Sequence, residues 1–328
     1  MAPWLWVETL AVAPRALKRL DELQQGVAPL AVVFGVVKKF GDDRGGSLAA
    51  LIAYYGFLSL FPLLLLFYTV LAFVLPHYPG AQADLTKSVI GQFPVIGAQL
   101  QQNTEHPLKG NAVALVVGMV TLLWGSLGIA QILQFTMHEV WNIPGRDRPA
   151  YFPRLLRSLL LFAVLGVGIA ITTAVSGLGT VLDWGPLGSV LAALPAVIVN
   201  AGLFGVVFRL LTASEVTWRQ LFPGAVVGGI GWQVLQTVGV NLVSHQLKHA
   251  GQVYGVFGFT LALISFLSLA ATLTVYAAEL NVVLAHHLWP RSLLQPPLTD
   301  KDSEALEGTA QREERMPGEA VGVECDPH

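Results

Sequence analysis

Few residues in this 328-residue chain have the types and spacing that chemistry requires. His138-Glu139 begins like a His-Glu-x-x-His zinc helix, but Asn142 stands where the second histidine would close the site. His286 and His287 are adjacent, so on a helix their side chains diverge by about 100° and do not share a metal. Beside Trp289 they read as interfacial packing. Trp124-Gly125-Ser126-Leu127-Gly128 lacks the first glycine of a nucleophile elbow. No Gly-Lys-Ser/Thr occurs to cradle a phosphate. The single cysteine, Cys325, excludes a disulfide framework and a cysteine-based metal site. No catalytic residue, cofactor or metal is expected, and the chain reads as a non-enzyme.

The remaining candidates are polar or helix-breaking residues inside apolar runs. Glu279 is the one carboxylate within any long run, with Asn281 two residues on. A charge at the bilayer centre costs on the order of 3 kcal/mol on insertion scales and faces protein or water. Near the end of its run, Glu279 reads first as the anchor of a bundle contact, with a proton or substrate relay as the alternative. Asn200, Gln233, Gln236 and Asn241 read as interhelical hydrogen-bond partners. Tyr54, Tyr55, Trp124 and Trp232 read as interior or interfacial anchors. The Gly224-x-x-x-Gly228 spacing, with Gly231 beyond it, lets a second backbone approach closely, as packing first and as a homo-oligomer face second. Pro62 and Pro195 each free a carbonyl four residues earlier, at Leu58 and Leu191; Ser59 and Ser189 are near enough in sequence to help satisfy them.

What must position these residues is a membrane body. The chain is 54% hydrophobic and 12% charged, with a net charge of −2. A soluble domain carries about 25% charged residues, so a water-soluble globule is excluded. The absence of a basic excess argues against nucleic-acid binding. Six apolar runs are long enough to span: Ala49–Leu75, Ala112–Leu133, Leu155–Gly177, Leu187–Leu211, Phe222–Val243 and Val256–Val283. Lipid demands internally satisfied backbone, so they are helices. Sixteen of the nineteen Lys and Arg residues fall on one side of this layout, leaving Lys87, Lys109 and Lys248 on the other. By the positive-inside rule both termini are cytoplasmic.

The predicted fold is therefore an all-α integral membrane protein with six transmembrane helices. Residues 1–46 form cytoplasmic or interfacial N-terminal helices, a polar one over Pro14–Gln25 and an apolar one over Val27–Val37, too short to span. Lys38 and Lys39 then lie at lipid-phosphate level. Residues 47–290 form the six-span domain, and 291–328 a disordered acidic cytoplasmic tail. From Thr299 onward nine acidic residues face three basic ones, with too little apolar content to fold.

Three stretches together resemble the YihY/BrkB family of bacterial inner-membrane proteins. The first is Ala53-Tyr54-Tyr55-Gly56-Phe57-Leu58-Ser59-Leu60-Phe61-Pro62-Leu63-Leu64. The second runs from Trp124-Gly125-Ser126 through Trp141-Asn142 to Arg148-Pro149. The third joins Phe222-Pro223-Gly224 to Val253-Tyr254-Gly255-Val256-Phe257-Gly258 and ends at Ala278-Glu279-Leu280-Asn281. The resemblance covers about residues 45–290 and implies a six-span protein of the bacterial cytoplasmic membrane. Ala277 stands where the family often has Gly, which puts a tight helix contact there in question. An older label for such sequences is a transfer-RNA-processing ribonuclease. A metal nuclease needs clustered His and carboxylates around divalent ions, and the loops here supply isolated charges.

Two functional readings follow. The favoured one is a transporter or handler of lipid or another envelope component, with membrane lipids as partners. The alternative is a non-transporting scaffold that recruits cytoplasmic partners, and a membrane ribonuclease comes last. If the two three-span halves are inverted repeats, the Pro62 and Pro195 kinks face one cavity lined by Tyr54, Tyr55, Asn200 or Gln233.

Overall fold

The computed structural model describes residues 15–74, 112–179, 185–213, 215–292, 298–316 and 318–322. Within these, side chains are described except at 15–20, 61–74, 112–119, 121–124, 126, 173–179, 185–193 and 240–259. The described residues are helical, with no strand among them. In chain order the helices are α1 (Arg15–Gly26), α2 (Ala28–Asp42), α3 (Gly45–Val74), α4 (Ala112–Val140), α5 (Tyr151–Gly179), α6 (Gly185–Leu211), α7 (Trp218–Ala285) and α8 (Asp300–Gln311).

Helical backbone runs from Trp218 to Ala285, 68 residues that would reach about 100 Å if straight. Its contacts show that it doubles back. The Gly224 N–H donates to Asn281 Oδ1 at 2.6 Å, Gly231 lies against Leu273, and Trp232 meets Phe266 edge-on with ring centroids 6.2 Å apart. In a straight helix Gly224 and Asn281 would be about 85 Å apart. The two legs, Trp218–Gly239 and Thr260–Ala285, are each long and apolar enough to cross a membrane, as are Tyr151–Thr172 and Leu194–Leu211. The helices holding the first two predicted spans have 30 and 29 residues of backbone, and large parts of their apolar faces lie outside the described side chains.

Close packing between neighbours comes from small residues and a few polar bonds. Ser59 is fully buried and donates to the Gly125 carbonyl at 3.0 Å, which ties α3 to α4. It does not close on the Leu58 carbonyl, as the sequence suggested. A Cβ on Gly229 would stand 2.6 Å from the Ala201 Cα, and Gly228 lies under the Phe204 ring, so α6 rides directly on α7. Asn200 reaches Gln233 across that contact at 3.3 Å. The glycine face of α7 is thus filled from within the chain. Among the described side chains, the buried apolar core gathers around Met137, Val140, Leu161, Phe208, Leu211, Val275, Ala278 and Val282.

Two expectations about the chain ends are corrected. Lys38 and Lys39 do not reach out to lipid phosphate: Lys39 is 2% exposed and both turn toward carboxylates. Residues 300–311 are not a disordered extension but the helix α8, folded onto the body. Composition misleads here because charge, not apolar area, docks it. Asp302 accepts from Lys38 at 2.7 Å and from Arg291 at 2.9 Å, and with Thr299 it closes a capping box at the helix start. Burial alone would raise the Asp302 carboxyl, but hydrogen bonds from Lys38, Thr299 and Ser292 outweigh it and hold it well below the usual carboxylate range. Deleting residues 299–328 would therefore strip ion pairs from the body as well as remove a tail.

Candidate functional site

The polar chemistry of the described residues concentrates where α2, the end of α4, the end of α7 and α8 meet. Lys39 closes on the carboxylate of Asp43 one turn along α2. Its ammonium also donates to the Val140 carbonyl at 3.0 Å and stands 3.4 Å from Glu279 Oε2. Arg312, sent in by the segment after α8, bridges Asp43 and Glu139 at 3.2 Å each. Arg148 takes the other Glu139 oxygen at 2.8 Å. Three cations, Lys39, Arg312 and Arg148, thus face three acidic side chains, Asp43, Glu279 and Glu139. A second group repeats the balance: Lys38 and Arg291 against Asp302 and Asp42, with the Arg291–Asp42 pair at 2.7 Å. Gln24 in α1 donates to the Arg291 carbonyl at 2.7 Å and ties the first helix to the same end.

Within this network Glu279 differs from its neighbours. It is fully buried, and neither carboxylate oxygen has a hydrogen-bond partner, although the Lys39 ammonium is within ion-pair distance. Asn281, two residues on, is also fully buried and holds the Gly224 N–H. Gly224 is what permits this, because a Cβ there would overlap the Ala277 carbonyl and the Asn281 amide. Ala277 thus takes part in a tight helix contact, the small residue being supplied by the opposite leg. A cavity of about 280 Å3 opens under α8, lined by Trp141, Asn142, His286, Glu304 and Gln311 among others.

The other predicted residues separate. Tyr54 and Tyr55 pack edge-on at 5.4 Å, with Tyr54 facing outward and Tyr55 against Gly128. Pro195 sits inside α6 and is exposed, while Asn200 is buried on Gln233. These residues do not line one described cavity. Trp141 is buried and meets His286 at 6.0 Å; Asn142 turns the chain in the left-handed region at φ 50°. Pro62, Trp124, Ser126, Tyr254, Gly255 and Gly258 lie outside the described side chains. Sequence reasoning missed Lys39, Asp43, Asp302 and Arg312. The four-residue Lys39–Asp43 spacing and the Thr299-x-x-Asp302 cap were the available signals.

Next to the network, His138 is 4% exposed in the last turn of α4. Burial first, then the charges of Arg148, Arg157 and Arg154, lower its pKa from 6.5 to about 4. The folded residue therefore stays neutral while the unfolded one takes up a proton below pH 6.5. His138 has no effect above that pH and destabilises the fold progressively between 6.5 and 4, by up to about 1 kcal/mol per pH unit. His138→Gln should flatten the difference between unfolding temperatures at pH 7.5 and pH 5 measured in detergent. An unchanged difference would show that the histidine is protonated in the fold.

The comparisons agree with this picture of a membrane body. The "Virulence factor BrkB" family model matches residues 36–300. The chain is 20% identical over 269 residues to Inner membrane protein YhjD of Escherichia coli, covering 76% of this chain and 79% of the relative. It is 23% identical to a UPF0761 membrane protein of Alteromonas mediterranea, over 82% of this chain and 93% of the relative. A Bacillus subtilis protein named "Putative ribonuclease-like protein YfkH" is 24% identical over 74% of this chain and 90% of its own length. No solved structure matches. With its helices, its three sequence stretches and a family match over most of its length, the chain is a membrane protein that belongs to the BrkB family, also called YihY.

Proposed function

We propose that this protein crosses the bacterial cytoplasmic membrane six times, with both termini inside, and moves or presents an envelope component rather than catalysing a reaction. The uneven distribution of Lys and Arg supports the orientation, and the helical backbone of α3 and α4 supports the first two spans. The observation that carries the functional reading is the buried Lys39–Asp43–Glu279 group at the basic end of the bundle, closed over by Arg312. Ionisable groups buried in a membrane body are costly, which makes this group the candidate site. The ribonuclease-like name belongs to the Bacillus relative. The carboxylates at this end are engaged by cations, which leaves them poorly suited to hold divalent metal.

Two measurements test the proposal. Single cysteines at positions 87, 109 and 248 should react with an impermeant thiol reagent added outside cells, and cysteines at 146 and 219 should not. External labelling at 146 would overturn the layout. Lipids and solutes that co-purify with the detergent-extracted protein should show one class enriched over the bulk membrane by mass spectrometry. A composition equal to the bulk membrane would remove the transport reading.

A further inference from the structure

The joint between α4 and α5 holds cationic donors that meet no anion among the described residues. Gln134 in α4 donates to Ser158 Oγ at 2.9 Å and to the Arg154 carbonyl at 3.2 Å, which fastens the two helices together. His138 follows one turn along α4, and Arg154 and Arg157 occupy the first two turns of α5, so all three border this joint. The charges of both arginines are felt at the imidazole. Arg148 is satisfied by Glu139 and by the Ile143 carbonyl, and Glu139 is already shared with Arg312. Arg154 Nε and Arg157 Nη1 are buried without a hydrogen-bond partner, and so is His138 Nε2. Arg154 has the Tyr151 ring 5.9 Å from its guanidinium carbon, which is no substitute for an acceptor.

A buried donor left unmet costs roughly 1–3 kcal/mol, more when charged. Two guanidiniums three residues apart lie on one helix face, and their planar forks match the oxygens of phosphate. Depth adds a further constraint. The membrane-length segment of α5 begins at Tyr151, so the arginines lie within about 5–9 Å of its end, on the face of α5 turned toward α4 and partly exposed. That is within reach of headgroup phosphate at the membrane interface. We infer that Arg154 and Arg157, backed by His138, form a binding site for a single phosphate group, supplied by a lipid headgroup or by free phosphate. The site does not depend on whether the protein transports anything.

The test uses the full chain purified in neutral detergent, following its unfolding temperature while phosphatidylglycerol, diacylglycerol or inorganic phosphate is added. Phosphatidylglycerol should stabilise saturably and diacylglycerol should not, because ligand that binds only the folded form raises its stability. The Arg154→Gln/Arg157→Gln double variant should bind phosphatidylglycerol at least about tenfold more weakly, the loss expected when charge-assisted bonds are removed. Arg219→Gln, which removes an exposed arginine predicted on the same side, should bind like wild type. Competition by millimolar inorganic phosphate would assign the site to the free anion as well; no competition would assign it to lipid alone. Equal responses of the wild type to phosphatidylglycerol and diacylglycerol would overturn the inference without any variant. So would a double variant that binds like wild type, or an equal loss in Arg219→Gln.

Discussion

Lys39→Met is expected to lower the stability of the protein by about 3–5 kcal/mol, the usual cost of removing one partner from a buried ion pair. The mechanism is the loss of one ammonium shared by Asp43, Glu279 and the Val140 carbonyl. Asp43 keeps Arg312, but Glu279 loses its only ion-pair partner among the described residues and has no hydrogen bond in reserve. Lys39→Met/Glu279→Gln should recover much of the loss, since a charge-free pair of similar volume is often as stable as a buried ion pair. Heat unfolding of the three proteins in one detergent, at pH 7.5, checks the ordering. A double variant no better than Lys39→Met would mean that Glu279 does not depend on Lys39.

Gly224→Ala should be about as damaging, at roughly 3 kcal/mol or more, although it adds one methyl group to a helix. The methyl would meet the Ala277 carbonyl, which is backbone of the opposite leg and cannot rotate away. Separating the legs also breaks the 2.6 Å bond from the Gly224 N–H to Asn281, so overpacking and an unmet buried amide add together. Gly202→Ala in α6 is the control, because a Cβ there meets nothing within 4 Å. It should be neutral or slightly stabilising. Equal losses for both alanines would show that the contact between the legs does not set the result.

These two sites show what could be read from the sequence. The long apolar runs announce membrane helices because lipid leaves so little choice of backbone, and the runs at residues 222–243 and 256–283 fall in the two legs of α7. Gly224 and Asn281 both lie in the quoted family stretches. Their contact was not legible, because nothing in either segment tells which residue 57 positions away completes it. Lys39 was misread for a related reason. A lysine pair ending a short apolar helix has the pattern of a lipid-facing anchor, and only the tertiary fold brings Glu279 to it. For α8 the composition was read correctly and the inference from it failed. A segment too polar to build a core can still dock when Asp302 and Arg312 find buried counter-charges.

The ion-pair network also sets an order of assembly during synthesis. Lys39 leaves the ribosome 240 residues before Glu279 and 273 before Arg312, which at ordinary elongation rates is a delay of about 12–55 s. Through that interval the nascent chain holds Lys39 with Asp43 as its sole acidic partner in the network. The basic end of the bundle closes only when the last helix has entered and the residues after α8 have emerged. A chain stopped before residue 312 presents Asp43 and Glu139 without their bridging cation, so the same charges that shut the folded molecule stay open until the residues after α8 are made.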